Sequence, residues 1–128
     1  MIDVEKQVAY WRESAAEEWM VAHDLLEKGH LRHCLFFAHL TLEKMLKALV
    51  CRKTRDLAPR LHDLLRLASL AGLSLEESDR DFLKMFGIYQ MEGRYPDVFP
   101  QAPDLDLARR RLQEAERIYQ WLKNLLSE

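Results

Sequence analysis

Glycine and proline are scarce, with four of each in 128 residues. Three of the prolines, Pro96, Pro100 and Pro103, fall in one segment. The rest of the chain therefore runs in long stretches without breakers, which argues for helices over turn-rich strands. The two cysteines, Cys34 and Cys51, lie in one predicted helix, about 25 Å apart along its axis. A disulfide needs Cα atoms within about 7 Å, so the two cannot pair within the chain. No Cys-x-x-Cys and no Cys/His cluster of zinc spacing is present, so neither a metal nor another cofactor is expected. There is no Gly-rich phosphate loop and no Gly-x-Ser-x-Gly turn. No run of eighteen apolar residues exists, and no membrane span is expected. The first residues, MIDVEKQVAYWRES, are charged and lack the apolar core of a signal peptide; a reduced, cytoplasmic setting is the expectation. The formal charge of −2 argues against a constitutive nucleic-acid coat. The local basic clusters, Arg52-Lys53-Arg55 and Arg109 to Arg111, read as solvated helix ends and faces.

What is present is helical periodicity. Val4, Val8, Trp11, Ala15, Trp19, Ala22 and Leu25 recur every three or four residues, predicting a first helix over 4–28 that stops at Gly29. A second runs over 31–53. After a linker ending at Pro59, a third short helix is expected over 61–70, closed by Gly72. Ser74-Leu-Glu-Glu77 has the form of a capping box and predicts the start of a fourth helix through Phe82, Leu83, Phe86 and Tyr89. The segment 93–103 reads as a loop. A last helix is expected over 104–125. Together these predict one domain, residues 1–128, with an all-α fold: an up-and-down bundle of four to five helices.

The second helix, LRHCLFFAHLTLEKMLKALV over 31–50, carries the most information. Most of its circumference is apolar. Arg32, His33, His39, Glu43, Lys44 and Lys47 fall within an arc of roughly 140° at about 100° per residue. Such a helix should touch several neighbours, and its apolar arc looks wider than one five-helix bundle covers. Its polar stripe needs a structural partner, a subunit interface or a ligand, because an unpartnered buried polar group costs about 1–3 kcal/mol. Glu43 and Lys44 suggest a buried pair.

Three segments, in order, carry a family resemblance: Tyr10-Trp-x-Glu-Ser-Ala leading to Ala22-x-Asp-Leu-Leu and Gly29; Leu35-Phe-Phe-Ala-His-Leu-x-Leu-Glu-Lys-x-Leu-Lys-Ala-Leu49; and His62-Asp-Leu-Leu with Gly93-Arg-Tyr-Pro-Asp97. The chain resembles the HEPN domains over nearly its whole length. The resemblance implies a small helical bundle that forms homodimers, often through a face of the second helix. It implies partnership with a minimal nucleotidyltransferase in toxin–antitoxin pairs, or nucleotide binding. In many members it implies metal-independent ribonuclease activity through an Arg-x(4–6)-His motif.

The last helix holds no His; the spacing occurs at Arg32 and His39 instead. These lie about 10.5 Å apart along one helix face. In RNA cleavage a His exchanges protons with the 2′-hydroxyl or the leaving oxygen, and an Arg stabilises the phosphorane charge. The competing reading makes His39 a hydrogen-bonded residue beside Glu43 and Arg32 a pair at a helix end. His62 would tie down the linker or contact a nucleotide phosphate. Arg94 and Tyr95, held by Pro96, would grip a phosphate and stack a base, or Arg94 would latch onto Asp97 or Glu43. The favoured function is an interaction module working with a nucleotidyltransferase. The alternatives are an endoribonuclease using Arg32 and His39 on RNA, and a dimeric helical adaptor without a ligand.

Overall fold

The computed structural model describes residues 1–99 and 101–128; Pro100, part of the expected loop, lies outside them. Five helices follow one another: α1 Val4–Glu27, α2 Leu31–Thr54, α3 Leu64–Leu70, α4 Glu77–Arg94 and α5 Leu105–Leu126. Helices account for every regular element among the described residues, so the all-α expectation holds.

Local chemistry sets most boundaries. Asp3 caps α1 by accepting from the Lys6 N–H at 3.1 Å. Gly29, at φ +79°, turns the chain into α2. Asp104 caps α5 through the Leu107 N–H at 2.8 Å. Helix α3 begins at Leu64 and not at Leu61. Asp63 is its cap, accepting from the Arg66 N–H at 3.2 Å, while the His62 ring is drawn to Glu43, which keeps residues 61–63 out of the helix.

The capping box at Ser74 does not form. Glu76 occupies the cap position without a side-chain bond. Leu73 and Leu75 both pack onto the core, which holds the segment before α4 extended. At its other end α4 continues to Arg94, so Gly93 and Arg94 belong to the helix and the irregular segment starts at Tyr95.

Helix α2 is the axis of the bundle and packs against each of the other four helices. Leu35, Leu42, Met45, Leu46, Leu49 and Val50 are all buried within the single chain. The apolar arc that looked too wide for one bundle is thus covered by α1, α3, α4 and α5 together. Cys34 and Cys51 are buried free thiols on this helix, and burial pushes the Cys34 thiol up to about 11. Among the described residues no helix is long and apolar enough to cross a membrane.

Candidate functional site

The later part of the polar stripe of α2 is folded inward: His39, Glu43 and Lys47 are buried, while His33 near its start is exposed. Glu43 is the hub. Its Oε2 accepts from Lys47 Nζ at 3.1 Å and lies 3.0 Å from His62 Nδ1. Lys47 also stands 5.2 Å from the centre of the Trp11 ring. The pairing expected between Glu43 and Lys44 is replaced by the one with Lys47, one helical turn on. Lys44 turns the other way, donating to Ser14 Oγ and Glu18 Oε1 of α1, both at 2.7 Å.

A carboxylate only accepts, so the Nδ1 of His62 carries the proton that it shares with Glu43. The side chain is about half exposed, at 49%. One face of His62 is therefore tied to the buried hub and the other meets solvent.

His39 is the opposite case. It has no exposed surface, and neither ring nitrogen has a hydrogen-bond partner among the described residues. Its Nδ1 lies 3.7 Å from Glu43 Oε1, beyond hydrogen-bond range. The ring stacks near Phe86. Burial pulls its pKa down to about 4; His62 and Arg94 push the same way, while Glu43 and Asp63 oppose them. At neutral pH it is an uncharged imidazole sealed from solvent.

Arg32 belongs to a different contact. Its Nε donates to Glu92 Oε1 at 3.3 Å and its Nη2 donates to the carbonyl oxygen of Phe99. This latch ties the start of α2 to the end of α4 and to the segment beyond it. Glu92 escaped the sequence reading, although a signal was there. Phe82, Phe86 and Tyr89 mark the buried face of α4, and Glu92 is the next position on that face. A carboxylate there required a cation across the interface.

Arg94 pairs with neither Glu43 nor Asp97 among the described residues. Its guanidinium lies over the Phe36 ring, 5.7 Å from the centre, on the side of α2 from which its charge reaches His39. The Arg32–Glu92 pair does the latching that Arg94 was expected to do. Tyr95 is exposed. The polar stripe and the residue pair at 94–95 thus neighbour one another through Phe36, with no direct bond between them. A β-carbon at Gly93 would fall 2.3 Å from Cδ1 and 2.7 Å from Cβ of Phe36, so only glycine lets α4 come this close. Gly93→Ala is expected to force the Phe36 ring and α4 apart at a cost of about 1–3 kcal/mol, read by urea unfolding. A loss below about 0.5 kcal/mol would contradict so close an approach.

Among the described residues no group of three His, Cys, Asp or Glu side chains is placed to hold a metal ion. The model of the HEPN domain matches residues 8–125. The chain belongs to the HEPN domain family. This HEPN protein is also similar to a solved structure, the crystal structure of TT1696 from Thermus thermophilus. The two are 25% identical with a TM-score of 0.76, over 92% of this chain and 97% of the other. No curated protein matches the sequence. The HEPN match spans all five helices, and the paired motif around His62 and Gly93 maps onto the hub and onto the Phe36–Gly93 contact.

Proposed function

We propose that this HEPN protein is an interaction module that works with a minimal nucleotidyltransferase, in a toxin–antitoxin or nucleotide-handling pair. The observation that carries the reading is an apolar ridge on the outer face of α4 and the turn beyond it. Ile88, Met91, Tyr95 and Val98 recur at three- and four-residue spacing and are 44%, 45%, 54% and 70% exposed. Large apolar side chains aligned on one face mark a docking surface more than a solvated one. The latch from Arg32 to Glu92 and Phe99 holds that face rigid, which lowers the entropy cost of docking.

The endoribonuclease reading through Arg32 and His39 has less support. A general acid or base must come within hydrogen-bond reach of its proton, directly or through one water, and His39 is sealed in the core. A homodimer, which the family resemblance implies, is compatible with the same ridge, because α2 is already covered within one chain.

Co-expression with a minimal nucleotidyltransferase from the same genome tests the proposal. The two are expected to co-purify, and Met91→Asp is expected to weaken the complex at least tenfold while leaving the melting curve intact. Absence of a complex, or a complex indifferent to Met91→Asp, would overturn the assignment. Sedimentation of the HEPN chain alone reports separately on the homodimer.

A further inference from the structure

Helices α1 and α5 both pack on α2 but scarcely touch each other. A groove of about 330 Å³ is left between them, at the small end of ligand sites, which span about 300–1,000 Å³. Buried Met45 of α2 and the ring of Tyr119 form its floor. At one end Trp19 closes against Tyr119, with ring centres 5.2 Å apart. At the other, Leu126 packs onto the cluster of Val4 and Val8. The small side chain of Ala16 leaves the mouth open. No ridge residue lines this groove, and none of its walls belongs to α4.

Three charged side chains stand around the mouth: Arg12 and Glu13 of α1 and Lys123 of α5, all exposed. None has an ion-pair partner among the described residues. Elsewhere the bundle does pair such groups, as in Lys44 with Glu18 and Arg117 with Asp79. Their own helices offer no relief. No acid lies three or four residues from Arg12 or Lys123, and Glu17, one turn from Glu13, repels it. Lys123 is nonetheless held at the groove, its Nζ 4.9 Å from the centre of the Tyr119 ring. Tyr119 is 4% exposed, and its phenol makes no hydrogen bond among the described residues. Burial pushes its pKa up, so it stays a neutral donor. A buried hydroxyl without a partner is costly.

Two cations, a carboxylate and a hydroxyl donor thus surround an apolar floor. A simple anion would meet repulsion from Glu13, and a simple amine would meet repulsion from Arg12 and Lys123. A molecule carrying both charges at one end and an apolar body at the other satisfies every wall. We propose that the groove binds a free α-amino acid with an apolar side chain. Arg12, Lys123 and the Tyr119 hydroxyl take the carboxylate. Glu13 takes the ammonium, and the side chain lies on Met45 and Leu126.

Calorimetric titration of the full chain at neutral pH with L-phenylalanine, 3-phenylpropionate and phenethylamine tests this. The three share a ring and differ in their charged groups. Phenylalanine is expected to saturate one site per chain with a Kd of about 1 mM or tighter, and each singly charged probe to bind at least tenfold more weakly. Glu13→Gln, an exposed substitution, should weaken phenylalanine at least tenfold and leave 3-phenylpropionate no weaker than before, a pattern that a damaged fold does not produce. Ala16→Leu fills the mouth with a residue that helices accept. It is expected to melt no lower than the parent and to bind phenylalanine at least tenfold more weakly. Failure of phenylalanine to saturate would overturn the proposal. So would a singly charged probe binding as tightly as phenylalanine, or unchanged phenylalanine binding by Glu13→Gln or Ala16→Leu.

Discussion

Glu43→Ala is expected to lower the unfolding free energy by about 3–5 kcal/mol, a large part of what a domain of this size possesses. The side chains of Glu43 and Lys47 are 4% and 8% exposed, so the substitution strands a buried ammonium. It also frees His62, which loses the only bond its ring makes among the described residues. Desolvating two ions is costly, so the pair itself adds little net stability; the penalty comes from leaving one ion alone. The double variant Glu43→Leu with Lys47→Met removes both charges, and it should recover most of the loss. Urea unfolding of the two variants separates these contributions. A Glu43→Ala protein within about 1 kcal/mol of the parent would mean that Lys47 reaches water without help.

The second large effect is on acid sensitivity. In the unfolded chain His39 takes up a proton near its ordinary value of 6.5, whereas in the folded chain it resists until about pH 4. Between those limits the unfolded state binds more protons, so stability rises with pH. The contribution is complete above about pH 6.5 and falls by about 3 kcal/mol as the pH drops to about 4. Carboxylates also titrate in this range, so the informative quantity is the difference between the parent and His39→Leu, which keeps an apolar side chain near Phe86. The parent should lose stability more steeply than the variant across that window. Parallel curves would show that His39 finds a proton acceptor or a water inside the fold.

Helix content was legible because the apolar spacing is regular and breakers are few. The ends were less so. The Ser74 capping box was a sound local signal, overruled by Leu73 and Leu75 seeking the core. Gly93 read as the start of a loop because glycine is a poor helix former, while its role, admitting the Phe36 ring, is tertiary and invisible in one dimension. The polar stripe of α2 was readable as needing partners. Which partners was not, since Lys44 and Lys47 both sit within a turn of Glu43, and only the position of α1 decides that Lys44 goes to Glu18. His62 was singled out from its place at a helix start. Its bond to Glu43 spans nineteen residues and a change of direction, beyond any local pattern.

Arg52 illustrates how this architecture distributes its constraints. From the last turns of α2 its guanidinium donates to the carbonyl oxygens of Leu125 and Leu126, both at 2.9 Å. These are among the carbonyls a helix end leaves unpaired. The final helix is thus held from its far end by a side chain more than seventy positions upstream, and its placement does not depend on the segment that leads into it. Lengthening a flexible connection costs only about 0.6 kcal/mol per doubling. Over evolutionary time, then, the connection at residues 101–103, which follows the turn latched by Arg32 at Phe99, is free to gain or lose residues, while the bundle keeps its shape.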